Sequence, residues 1–455
     1  MRIRLLALAV AASTMASAHA MDLLQAWDGA RRQAPELALA DAQDRAGAAR
    51  QDQARAVWRP TIGMEGAAAW ATNETATRGA QFSAPGFGES RGVSFDTSVT
   101  GGTSTRYAIA FRQPVWNAER SARSRGLAVA GTAAALEAER TRQLLMLRTV
   151  EAYFDASLAA RRLALVETQL AAVERAASEA RDRFKLGDRP VTEVHEAEAR
   201  AAALRAQRLE AETQARLARA ALADLTGLDA TASPPRLAAE VAPESAGALD
   251  GWLARAAQSN TLLQLAAAQF DGAQARREAT RGALSPTVDV VAHYGRDRIT
   301  GDGDFGNASN TSRNAAIGVQ VSIPLYTGGL RSAQDAESLA LVDQARAQLE
   351  RAKLDVAHEA RAAWMALDVG AARVNSLAAA LEASRLRLDA TRTGLAAGDR
   401  TTLDLLNAEN DAAGARLALD VARARLLIDR VRLAFVAGEL DDSLLRKLNA
   451  RLQAP

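Results

Sequence analysis

Apolar positions along this chain recur with the helical period over most of its length, and that pattern gives way twice to the period of two that marks a strand. Residues 22–56 and 247–283 read as helices. After Trp58-Arg59-Pro60, the residues Ile62, Met64, Ala68 and Trp70 alternate with Gly63, Glu65 and Ala69. After Leu284-Ser285-Pro286, Val288, Val290, Ala292 and Tyr294 alternate with Asp289 and His293. Two returning strands follow the same rule. Tyr107, Ile109 and Phe111 stand against Arg106 and Arg112, and Ile317, Val319, Val321 and Ile323 against Gly318, Gln320 and Ser322. The pattern predicts four strands of 10 to 13 residues, each with one apolar and one polar face.

Each returning strand leads into an unbroken helical pattern, from Asn117 to about Leu186 and from about Gly329 to Ala397. Seventy helical residues would reach ~105 Å. Leu136, Leu144, Leu147, Phe154, Leu158 and Leu165 give a blurred heptad spacing with alanine between, the pattern of a coiled coil. Gly187 and Gly398 suit left-handed helix ends, Asp188 and Asp399 suit caps of the next helix, and Pro190 suits a first turn. The return helices are expected over about 190–226 and 401–437.

The chain is an internal repeat. Trp27 matches Trp252 and Pro60 matches Pro286, at offsets of 225 and 226. Gln113-Pro114-Val115-Trp116 matches Ile323-Pro324-Leu325-Tyr326 at 210, and Gly187-Asp188-Arg189 matches Gly398-Asp399-Arg400 at 211. The falling offset places an insertion in the first half, at about 75–102, whose glycines, serines and threonines read as a loop. The expected organisation is a first repeat over 21–230 with its hairpin at about 58–115, a proline-bearing linker over 231–246, a second repeat over 247–440 with its hairpin at about 284–326, and a tail over 441–455. Residues 1–20 read as a secretory signal peptide: Arg2 and Arg4, an apolar run from Leu5 to Ala12, and cleavage after Ala18-His19-Ala20.

Composition narrows the chemistry. With no cysteine, a disulfide scaffold, a thiolate metal site, a cysteine nucleophile and an N-terminal lipid-modified cysteine are excluded. Cleavage would leave 54 cations against 54 anions. The arginines are interspersed with carboxylates along helices and lack interleaved aromatics, which argues against nucleic-acid binding. His195, His293 and His358 have no second histidine at helical spacing, and Asp302-Gly303-Asp304 lacks the ligands of a calcium loop, so neither metal nor cofactor chemistry is expected.

Amphipathic strands in a secreted chain without an apolar helix of membrane length fit outer-membrane strands; a soluble β-sandwich is the alternative. In lipid every backbone donor needs a partner, and single-chain barrels begin at about eight strands. Four strands cannot close alone, so several copies must share one barrel.

This arrangement of helix, β-hairpin and long helical hairpin, repeated twice, resembles the TolC family of outer-membrane channel-tunnels over nearly the whole mature chain. The resemblance implies a mainly α protein with a transmembrane β-barrel: a coiled-coil helical barrel in the periplasm plus four amphipathic strands per protomer, with a homotrimer forming a 12-stranded barrel in the lipid of the cell outer membrane. It implies no catalysis. It implies a periplasmic gate in which Arg400, within Gly398-Asp399-Arg400-Thr401, bonds Thr192 and Glu193 of a neighbouring helix pair. The family's acceptor is Asp where this chain has Glu193, and its tyrosine partner falls on Leu395. Asp404 matches the first of two entrance aspartates and Asn407 stands at the second, so one ring of three charges is implied. Trp70, Tyr107, Tyr294 and Tyr326 are candidates for interfacial aromatic girdles or for buried core.

The expected function is the passive exit duct of a type I secretion system, with a periplasmic adaptor (membrane fusion) protein and an inner-membrane ABC or RND-type transporter as partners. The alternatives are the outer-membrane component of a multidrug efflux pump and, from another class, a periplasmic coiled-coil adaptor protein.

Overall fold

The structure is a computed structural model and describes residues 21–86, 88–187, 190–228, 246–303 and 306–453. The signal peptide, Asp188 and Arg189, Asp304 and linker residues 231–245 lie outside the described residues. The helices and strands run in the order α1 (Leu23–Gln33), α2 (Pro35–Ala56), β1 (Thr61–Ala84), β2 (Gly88–Trp116), α3 (Ala118–Lys185), α4 (Val191–Thr226), α5 (Leu249–Ser259), α6 (Thr261–Gly282), β3 (Thr287–Gly303), β4 (Gly306–Ser322), α7 (Leu330–Ala397), α8 (Thr402–Val436) and α9 (Asp442–Gln453). The chain forms two compact units.

Among the described residues, one unit takes those within 21–45, 134–267 and 348–453, and its regular elements are helices. Its core joins Leu23, Ala26 and Trp27 of α1 to Val150, Tyr153 and Phe154 of α3, with Leu367 of α7, Leu427 and Val431 of α8, and Leu445 and Leu448 of α9. Two hydrogen bonds tie polar groups of this core. The Tyr153 hydroxyl donates to the Met21 carbonyl at 3.0 Å, and the Leu23 N–H donates to Asn449 Oδ1 at 3.0 Å. The repeat-related tryptophans are both buried and bonded through Nε1, Trp27 to Asp442 Oδ1 at 2.9 Å and Trp252 to the Ala246 carbonyl at 2.5 Å.

Two expected single helices are broken. Ala34, extended at ψ 121°, precedes Pro35, whose ring disfavours a helical residue before it, so α1 ends there. In the second half Asn260 makes the break: its Oδ1 accepts from the Leu263 N–H at 3.0 Å and its Nδ2 donates to the Val436 carbonyl at 2.8 Å, tying the start of α6 to the end of α8. The expected tail also folds, because Leu445, Leu448 and Leu452 recur at helical spacing and are buried as α9.

The other unit holds 46–133 and 268–347 and contains one antiparallel sheet in the order β1-β2-β3-β4. Its strands have 24, 29, 17 and 17 residues, longer than expected. The expected loop over 75–102 is instead the outer part of the β1–β2 hairpin, paired from Asn73↔Val99 to Ala84↔Gly88. Threonine and serine favour extended backbone there, and three register shifts absorb the surplus residues, with Gly79 and Gly101 at φ 70° and 66° supplying left-handed steps. The Trp70 ring lies against Gly101, where an added Cβ would meet it at 3.1 Å.

The register brings apolar residues to one face. Ile62 opposes Phe111, Ile109 opposes Tyr294, Val290 opposes Val319 and Ala292 opposes Ile317. The opposite face carries Glu65, Arg106, Arg112, Asp289, His293 and Asp297, where Arg106 pairs with Asp297 and Arg112 with Asp289 at 3.9 Å. In one chain Ile62, Met64, Ile317 and Trp70 are largely exposed.

Candidate functional site

The two long helical hairpins turn at Gly187 (φ 80°) and Gly398 (φ 84°), both left-handed as glycine permits. The helix after each turn starts differently. α4 begins behind Pro190 without a side-chain cap. α8 begins at Thr401, whose Oγ1 accepts the Asp404 N–H at 3.1 Å while Asp404 Oδ2 accepts the Thr401 N–H at 3.0 Å. This reciprocal pair is a capping box, and the expected cap Asp399 is not the residue that provides it. The Asp399 N–H instead closes the turn by donating to the Gly394 carbonyl at 2.8 Å.

Asp404 therefore holds the helix start. The hydrogen bonds from the Thr401 backbone, then from its hydroxyl, keep the Asp404 carboxyl below the usual carboxylate range, with the Arg400 and Arg387 charges adding to the effect. Arg400 is exposed and has no hydrogen bond or ion pair among the described residues. Its stem lies back over the last turn of α7, where a Cβ on Gly394 would come within 2.8 Å of Arg400 Cγ. Thr192 and Glu193 sit in the first turn of α4, Thr192 exposed and Glu193 half-buried.

Below the turns the hairpins are held together within the chain. Leu406 of α8 packs with Val166, Leu170 and Val173 of α3 and with Ala201 and Leu204 of α4. Arg200 of α4 donates to the Asn407 side-chain carbonyl, and Gln169 of α3 bonds Asn410 at 3.1 Å. Within hairpins, Arg387 pairs with Asp411 at 2.8 Å, Arg392 with Glu409 at 3.3 Å and Arg205 with Glu174 at 2.8 Å. Sequence reasoning did not find Arg200. An arginine among many interspersed with carboxylates gives no signal of its own, and only the packing of α4 on α8 assigns it to Asn407.

The histidines lie on three separate elements: His195 on α4, 3.9 Å from Glu198, His293 on β3 and His358 exposed on α7. No helix among the described residues is long and apolar enough to cross a membrane.

Known proteins are similar to this chain in sequence and in fold. The family described as outer membrane efflux protein matches residues 27–228 and 252–439, one segment in each half. The proteases secretion protein PrtF of Dickeya chrysanthemi is 26% identical over 448 residues, covering 96% of this chain and 92% of its own. The outer membrane efflux protein BepC of Brucella suis is 31% identical over 303 residues, covering 66% and 64%. Among solved structures, the outer membrane protein VceC of Vibrio cholerae superposes with a TM-score of 0.70 at 18% identity, covering 92% of this chain and 97% of its own.

Proposed function

Because the chain belongs to the outer membrane efflux protein family, and is an outer-membrane channel and not an enzyme, we propose that it is the passive exit duct of a type I protein secretion system. The observation that carries this reading is the alignment with a protease secretion protein over nearly the full length of both chains. The higher identity to an efflux protein favours multidrug efflux as the second reading, but over two thirds of the chain. An inner-membrane ATPase would drive transport and a periplasmic adaptor would join it to the helical tip.

The sheet has two open edges, β1 and β4, and four strands leave those backbone groups without partners in lipid. Three copies, each pairing its β4 with the β1 of the next, close a twelve-stranded barrel with the apolar face toward lipid and the Arg106 and Arg112 face toward the lumen. At the tip, Arg400 has no partner among the described residues of its own chain, so an acceptor pair on a neighbouring copy, Thr192 and Glu193, would satisfy it and close the entrance. Asp404 contributes one carboxylate per copy beside that latch.

A strain deleted for its own exit channel, but retaining a type I ATPase, adaptor and secreted protease, tests the reading. Expression of this chain should restore extracellular protease. Restored drug resistance without restored secretion would select the efflux reading.

A further inference from the structure

The sheet's two faces treat their arginines differently. On the polar face, Arg106 and Arg112 each have an aspartate across the ladder. On the apolar face, Arg296 of β3 stands directly opposite Arg313 of β4, and Arg298 follows two residues on, opposite Thr105 and Thr311. Directly opposed residues have Cβ atoms about 5 Å apart, and like charges there are destabilising. No carboxylate among the described residues forms an ion pair with any of the three. Among the described residues, the one guanidinium hydrogen bond in the group is from Arg296 Nη1 to the Tyr107 hydroxyl at 3.5 Å.

Their position along the strands is as specific as their face. From Val288 and Val321 to Tyr294 and Ala315 the same face is apolar over a stretch of seven residues, about 20 Å of strand. Arg296 and Arg313 are the next pair toward the Gly303↔Gly306 end of the hairpin, and beyond Arg298 the face continues with Thr300 and Ser309. Both helices leave the sheet from the other end, after Trp116 and Ser322, so the arginines lie at the border farther from the helices, the outer-leaflet side of a lipid-facing band.

We propose that Arg296, Arg298 and Arg313 form a binding site for the phosphate groups of an anionic, phosphorylated glycolipid of the outer leaflet. This rests on the reading that the apolar face meets lipid. A phosphate between Arg296 and Arg313 accepts from both guanidinium forks, which relieves their mutual repulsion and requires no acidic residue of the protein. The acyl chains of the same molecule run down the apolar band below, and the Tyr107 hydroxyl steadies Arg296 at the headgroup level. The arginines' place at the end of the apolar surface selects a lipid phosphate over a free one, because only the lipid meets both surfaces at once.

Native mass spectrometry of the assembled full chain, released from detergent with added bis-phosphorylated lipid A, reads the site. The wild type should hold one lipid per chain, and R296Q/R313Q should weaken retention by about tenfold or more. The inward-facing R112Q should retain lipid like the wild type, and lipid A stripped of both phosphates should not be retained. The intact assembly mass reports that each variant is folded. Equal retention by R296Q/R313Q, or equal retention of the stripped lipid, would overturn the site, as would displacement of the lipid by millimolar inorganic phosphate. The chain has no cysteine, so a nitroxide on Ile317→Cys in a bilayer separates this failure from that of the lipid-facing reading: an oxygen-accessible label leaves that reading standing, and a water-accessible one removes both.

Discussion

Removing the Asp404 charge separates two roles that the structure gives to one carboxylate. Asp399 and Arg400 cancel, so Asp404 leaves each chain with one net negative charge at the turn and three copies with three. For a lumen of ~10 Å radius and the dielectric of water, three such charges enrich cations on the axis about eightfold without screening. At 0.1 M salt the Debye length of about 10 Å reduces this to about twofold, and at 1 M the enrichment vanishes. Asp404→Asn should abolish the twofold preference and keep an oxygen to accept the Thr401 N–H, so assembly should survive. Thr401→Ala is the complementary change: it removes the hydroxyl that accepts the Asp404 N–H and should destabilise the start of α8 by about 0.5–2 kcal/mol while leaving the charge. Reversal potentials across planar bilayers under a salt gradient measure the first effect, and thermal unfolding measures the second. Because Thr401 holds the Asp404 carboxyl low, cation preference should persist as the pH falls through the ordinary aspartate value of about 3.9 and fade only below it. The cap contribution has the same sign, present above the unfolded value and lost as the pH falls through the folded one. Equal cation preference in wild type and Asp404→Asn at low salt would refute the lumenal placement of Asp404.

Arg400→Ser should raise single-channel conductance by removing the donor of the tip latch, and unchanged conductance in both Arg400→Ser and Thr192→Val would show that other contacts close the entrance. Asn407→Asp should add little cation selectivity, because Arg200 already bonds that side chain and would neutralise the new charge; a full second increment at low salt would show that Arg200 turns away. Gly438→Ala should destabilise the helical unit by at least about 2 kcal/mol, since Gly438 has φ 72° and an added Cβ would stand 2.1 Å from the Ser259 carbonyl, a clash that thermal unfolding detects. Tyr153→Phe should cost about 1–3 kcal/mol by leaving the buried Met21 carbonyl without its donor, measured by the same unfolding.

The repeat, the four strands, the long helices and the glycine turns were legible in the sequence because each rests on local chemistry: a two- or 3.6-residue period, or a left-handed glycine. The apolar residues from Ile62 to Trp70 needed no partner to declare a strand. Pairing decided the rest. The 75–102 stretch reads as a loop by its glycines, yet cross-strand hydrogen bonds carry β1 and β2 through it and the bulges absorb the surplus residues. Asp404 is legible as a carboxylate after a turn, whereas its bond to Thr401 depends on where α8 begins, a choice between Asp399 and Thr401 that backbone geometry made. The Arg200–Asn407 bond and the Arg296–Arg313 opposition join residues 207 and 17 positions apart, and only helix packing and sheet register bring such groups together, because side-chain period fixes the face a residue occupies and never the neighbour it meets there.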